Sequence, residues 1–202
     1  MRQGEDTNYV VLNGTAVDAP QLSHNAGGRP IYTMRLSAER LSGREDVLNL
    51  TLREELCERL AIKAGDKLTV TGAMRSCNHL EDGRSRLLLS VFAREAEPGG
   101  DDKQNSILLT GTICKPPSYR VTPLGRELCD VMLAARRKYG KFDFLPIIFW
   151  GRNAKLTGTF TAGTRISCEG RVQSREYIKK TEDGETVKTA YEVSAGFVEV
   201  IE

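Results

Sequence analysis

No apolar run in these 202 residues approaches the roughly 18 needed to span a membrane. The opening residues, MRQGEDTNYVVLNG, hold no apolar signal segment either, so no membrane role is expected and the expected compartment is the cytoplasm. Histidine is scarce, at His24 and His79 only, and no Cys-x-x-Cys occurs, so neither a metal site nor a cofactor is expected. The five cysteines (Cys57, Cys77, Cys114, Cys129, Cys168) are odd in number and not closely paired, which fits buried thiols better than a disulfide framework. A phosphate loop is missing too: GGRP at Gly27 to Pro30 lacks Gly-Lys-Ser or Gly-Lys-Thr and reads as a turn. His24 lies in the turn-like LSHNAGGRP without a partner motif, and Asp143 is the one carboxylate near the aromatics described below, so no enzyme is expected.

Aromatics are few, at six Phe, six Tyr and one Trp, yet five of them fall in one stretch, RRKYGKFDFLPIIFWGR. Charge is uneven as well. From Asn105 to Lys180 there are fourteen Lys and Arg against five Asp and Glu, a net of +9; from Asn8 to Leu80 there are nine against eight, a net of +1. A local excess of that size points to an anionic partner.

The chain repeats itself. NYVVLNGTAVDAP (Asn8 to Pro20) aligns with NSILLTGTICKPP (Asn105 to Pro117) at a shift of 97, pairing Asn8 with Asn105, Gly14 with Gly111 and Pro20 with Pro117. GRPIYTMRLSA and GRELCDVMLAA keep that shift, and AGDKLTVTG and AGTRISCEG follow after a drift of one residue. Two domains are expected, 1–96 and 105–202, joined by the Pro-Gly-acid linker 97–104.

Each copy reads as β. Short segments rich in Val, Ile, Leu and Thr alternate with turn residues, and Asp82-Gly83 and Asp183-Gly184 are hairpin signals. LREELCERLAI puts Leu52, Leu56 and Leu60 four apart, predicting a helix, with the weaker GRNAKLTG in its place in the second copy. An all-β chain follows: two tandem five-stranded Greek-key barrels of the oligonucleotide/oligosaccharide-binding fold, each with a short helix after strand 3.

Strand alternation sorts the aromatic stretch into two faces. Leu145, Ile147 and Phe149 match Leu48, Leu50 and Leu52 of the first copy, and both sets are apolar, as a core requires. The other face carries Phe142, Phe144, Pro146, Ile148 and Trp150, where the first copy has Glu45, Val47, Asn49, Thr51 and Arg53. The fold therefore does not need those aromatics. Exposed rings among cations suit single-stranded nucleic acid, because bases stack on rings regardless of sequence and cations neutralise phosphates. Arg136, Arg137, Lys138, Lys141 and Arg152 surround the stretch, and SREYIKK adds Arg175, Tyr177, Lys179 and Lys180. A subunit contact is the competing explanation for exposed rings, although interface cores are depleted of charge. RNA stays open, because nothing here marks a reader of the 2′-hydroxyl.

At NSILLTGTICKPP, LAARRKY, FDFLPIIFWGRNA, GTRISCEGRVQSREY and EDGETVKTAYEV the chain resembles the bacterial single-stranded DNA-binding protein family, over nearly all of the second copy and more faintly over the first. The resemblance implies base-stacking positions at Tyr139, Phe144, Trp150 and Tyr177; their first-copy equivalents are Ser42, Val47, Arg53 and His79. It implies a binding barrel at the C-terminus and a degenerate, structural barrel before it, in which Arg35, Arg40, Arg44, Arg53 and Arg75 remain candidates for phosphate. It also implies a role in DNA replication, repair or recombination, and a homodimer carrying four barrels. The family's acidic, aromatic-ended tail is not present after FVEVIE, which raises an alternative: a primosomal or mobile-element accessory protein on the same barrel, its aromatic face meeting protein or RNA.

Overall fold

The computed structural model describes residues 6–81, 84–99, 102–181 and 184–201, with residues 80, 81, 84, 85 and 179–181 described by backbone alone. The first copy contains β1 (Asn8–Ala16), β2 (Gln21–Ala26), β3 (Arg29–Glu39), β4 (Glu45–Arg53), α1 (Glu54–Leu60), β5 (Lys67–Glu81) and β6 (Arg84–Pro98). The second repeats the order with β7 (Asn105–Ile113), β8 (Ser118–Val121), β9 (Glu127–Arg136), β10 (Phe142–Trp150), α2 (Gly151–Thr157), β11 (Arg165–Thr181) and β12 (Gly184–Val200).

In each copy five strands close on themselves. β1 pairs with β3 and β5, β3 with β4, β5 with β6, and the ring is completed by a parallel contact between β4 and β6. β7, β9, β10, β12 and β11 do the same. The helix follows the third strand of the ring, while β2 and β8 add a short outer ribbon to β3 and β9. The predicted fold is the one present.

Alternation explains the interior. Leu48, Leu50 and Leu52 in β4 and Leu145, Ile147 and Phe149 in β10 are all buried. Leu52 therefore belongs to the strand rather than to the helix expected from the four-residue leucine spacing. It is in register with Tyr32 of β3, and α1 begins only at Glu54. The repeated glycines have steric causes. A Cβ on Gly14 would meet the Ser37 carbonyl, and one on Gly111 the Ala134 carbonyl. Gly72 and Gly170 sit at matching register shifts, each facing a carbonyl of the partner strand, Phe92 or Ser194. The closing pairs of the long hairpins are Glu81 with Arg84 and Thr181 with Gly184. Asp82-Gly83 and Asp183, read as turn residues, lie outside the described residues.

The barrels are joined by more than a linker. β1 and β7 pair antiparallel, merging everything into one twelve-stranded sheet. Val10 faces Ile107, its own equivalent at the shift of 97, so a local two-fold axis passes through that pair. Of residues 97–104, Glu97 and Pro98 still belong to β6, and Gln104 accepts a backbone hydrogen bond from Asn13.

Candidate nucleic-acid interface

The two-fold arrangement brings the β3–β4 turn of one barrel onto the β11–β12 side of the other, and the reverse. Two buried carboxylates hold these crossings. Asp143 accepts hydrogen bonds from the Ser76 N–H (2.7 Å), from Arg75 Nη1 (2.8 Å) and from Arg137 Nε (2.7 Å). Arg137 Nη2 also pairs with Asp143 and donates to the Ser76 carbonyl at 3.1 Å. On the other side Asp46 accepts from Arg40 Nε and Nη2 (both 2.6 Å) and from the Ser174 N–H (2.8 Å). Asp46 and Asp143 are fully buried, and each ties its own barrel to a backbone amide of its neighbour. The hydrogen bond to Asp46 holds the Arg40 guanidinium protonated even more firmly than usual. Sequence reasoning missed this role, yet the signal was present: Arg40 and Asp46 recur as Arg137 and Asp143 at the same shift of 97.

Several of the cations predicted at phosphate have carboxylate partners in the structure. Arg137, expected at phosphate, has its guanidinium committed to Asp143. Among the first-copy arginines, Arg35 pairs with Asp18 (2.7 Å), Arg40 with Asp46, Arg75 with Asp143, and Arg53 lies 5.2 Å from the Phe92 ring centre. Lys138, Lys141 and Arg152 are exposed, and Arg136 is half-buried. Arg175 lies 3.8 Å from Glu192 and 6.0 Å from the Tyr177 ring centre. Lys179 and Lys180 belong to β11, and their side chains lie outside the described residues.

All four predicted stacking residues are exposed. Tyr139 is 99% accessible at the tip of the 3-10 turn Lys138–Gly140, held in the left-handed region at φ 62°. Phe144, Trp150 and Tyr177 are 42%, 40% and 41% accessible, and Phe142 lies beside them at 47%. Phe144 and Trp150 share one face of β10, six residues and therefore about 20 Å apart. The Phe144 N–H is held by Ser76 Oγ of the first barrel (2.8 Å). Ile148, placed on this outer face by alternation, is buried nonetheless.

Two grooves meet the rings. Trp150 and Ile148 line one of about 710 Å³, together with, among the described residues, six arginines (Arg40, Arg44, Arg120, Arg126, Arg171, Arg175) and one acidic residue, Glu192. Tyr177 lines another of about 510 Å³ between the long hairpins, facing Leu87, Leu88, Pro146, Lys188 and Tyr191. The rings are thus distributed along the junction of the barrels rather than gathered in one pocket. Arg120, Arg126 and Arg171 were not expected. Alternation in RVQSREY could have placed Arg171 with Arg175, whereas Arg120 and Arg126 needed the β8–β9 ribbon to fold over.

Barrels of this topology bearing exposed rings and arginines define a class of oligonucleotide-binding protein. The comparisons narrow it. The model of the single-strand binding protein family matches residues 104–201. Single-stranded DNA-binding protein 3 of Clostridium acetobutylicum is 32% identical over 105 residues, covering 48% of this chain and 71% of that protein. The chain belongs to that family. It is also similar to the replication restart protein PriB of Yersinia enterocolitica, with 30% identity over 80 residues, 36% of this chain and 76% of that protein. The crystal structure of wild-type single-stranded DNA binding protein from Thermus aquaticus shares the fold at TM-score 0.78, with 20% identity, over 98% of this chain and 95% of that one.

Proposed function

We propose that this protein binds single-stranded DNA with little regard to sequence, stacking bases on Tyr139, Phe144, Trp150 and Tyr177, in the service of replication, repair or recombination. The carrying observation is the coincidence of exposed rings on the second barrel with an arginine-lined groove beside Trp150. Phosphates meet Arg136, Lys138, Lys141, Arg152, Arg175, Lys179 and Lys180; Arg137 serves chiefly to hold the barrels together. The 1–96 barrel is the scaffold and the 105–202 barrel the binding unit. Support comes from the family membership and from the name of the Clostridium relative.

Titration with oligo-dT, followed by the fluorescence of the one tryptophan, tests this directly. Quenching that weakens as salt rises is the expected result, and duplex and RNA competitors then rank the ligands. An unmoved signal, with no change in oligonucleotide anisotropy, would overturn the reading. The likeness to PriB favours one second reading, a primosomal accessory protein of the same fold. Preferential binding of a partner protein or RNA over oligo-dT would select it.

A homodimer belongs to the same proposal. Tyr9, Leu108 and Phe197 are exposed in one row across β1, β7 and β12, separated only by Glu169. A second copy covering this row predicts twice the chain mass in light scattering and a monomer from Leu108→Asp.

A further inference from the structure

The first barrel has so far only a scaffolding role, yet its β3–β4 turn lines the Trp150 groove through Arg40 and Arg44. Three of the six groove arginines have carboxylate neighbours: Arg40 has Asp46, Arg120 has Asp130 (2.9 Å) and Arg175 has Glu192. Arg44, Arg126 and Arg171 have none among the described residues; Arg171 donates only to the neutral Gln173 (3.2 Å). Three arginines without a carboxylate partner among the described residues, from three separate segments, one in the first barrel and two in the second, line the groove that Trp150 also lines. One lining carboxylate, Glu192 beside Arg175, leaves these arginines in excess, and such an excess attracts a further anion.

Arg44 is also held in place. The Arg40 N–H donates to the Arg44 carbonyl (2.7 Å) and the Gly43 N–H to the Arg40 carbonyl (2.9 Å), with Gly43 in the left-handed region at φ 80°. Arg40 is anchored to Asp46, and Asp46 to Ser174 of the second barrel. The turn is therefore fixed to the groove wall, and the exposed Arg44 side chain extends from it.

The geometry points to a phosphate clamp built by both barrels, in which Arg44 of the first and Arg126 and Arg171 of the second grip consecutive backbone phosphates of a strand whose base stacks on Trp150. This rests on the single-stranded DNA reading above and extends it: the strand crosses from one barrel to the other. The stacking ring beside the cations favours a nucleic acid over an acidic peptide, which needs no base platform.

The salt dependence of oligo-dT affinity is the test, measured on the full chain. Removing one phosphate-binding cation lowers the slope of log affinity against log salt by about 0.7, so Arg44→Ala removes about 0.7 and Arg44→Ala with Arg126→Ala about 1.4. Arg44→Lys keeps the charge and should keep the slope. Lys63→Ala, an exposed cation outside the groove, is expected to change nothing. If Arg44→Ala leaves the slope intact while Trp150→Ala still weakens binding, the clamp is wrong and the DNA-binding reading stands. If the wild-type protein fails to bind oligo-dT, both fall.

Discussion

The two barrels share a backbone and an interior but not an outer face. After the matching register shifts, Ala73 pairs with Phe92 in the first barrel and Arg171 with Ser194 in the second. Phe92 thus occupies the place that Ser194 leaves open, and Arg53 lies over its ring where Trp150 stands beside a groove. Val47 and Phe144, Ser42 and Tyr139, and His79 and Tyr177 are the other contrasts. The comparison separates the two constraints on a barrel. Closure and burial restrict the inward side chains of both copies, whereas each outward side chain changes little but its own surroundings and was able to diverge.

The largest expected effect breaks the junction rather than the face. Asp143→Ala strands two partly buried guanidinium groups and is expected to cost about 3–5 kcal/mol in denaturant unfolding. Asp46→Ala strands one and should cost less; equal losses would show that the second arginine on Asp143 contributes nothing. Next comes the stacking contrast. Trp150→Ala should weaken oligo-dT binding by about 1–3 kcal/mol, while Arg53→Ala at the equivalent place leaves it nearly unchanged. Equal effects would mean that both barrels stack bases. Ser194→Phe imports the first barrel's plug into the second and should cost about 1 kcal/mol of affinity, with tryptophan quenching reduced.

The smallest effect concerns the β8–β9 ribbon. Hydrogen bonds from Lys155 and then from Tyr119 hold the Glu127 carboxyl below its usual range. A lowered pKa means that the contribution is present above the unfolded value and is lost as pH falls through the folded one. Acid below the ordinary glutamate pKa of about 4.3 should therefore loosen this ribbon. The first copy has Pro30, Glu58 and Leu22 at the equivalent places and lacks such a triad. Glu127→Gln should abolish this acid-dependent step in ribbon resonances; a step that persists would assign it to another group.

Much of the fold was legible because it depends on local pattern. Alternation in LNLTL and LPIIF placed the core face, and the repeated glycines marked where backbones come too close for a side chain. The helix start was misplaced because Leu52 satisfies both periods, the two-residue one of β4 and the four-residue one of α1, and only pairing with Tyr32 decided between them. The cysteines behave partly as expected: Cys129 and Cys168 are buried, and burial pushes the Cys168 thiol up to about 12, while Cys77 and Cys114 are exposed.

The arginines were the least legible. Their charge was visible, but whether a guanidinium is engaged or available depends on which carboxylate folds against it. Arg137 and Arg44 both stand in basic turns; one is committed to buried Asp143, and the other has no carboxylate beside it among the described residues. The tandem barrels, their cores and the ring-bearing face were written in the order of residues, because strand alternation and steric limits at glycine act over a few positions. The tertiary structure alone decided that β1 would pair with β7, that two buried aspartates would fasten each barrel to the other, and that a turn of the first would wall the groove of the second. The hydrogen bonds at those crossings join residues from 61 to 134 positions apart, beyond the reach of any local pattern.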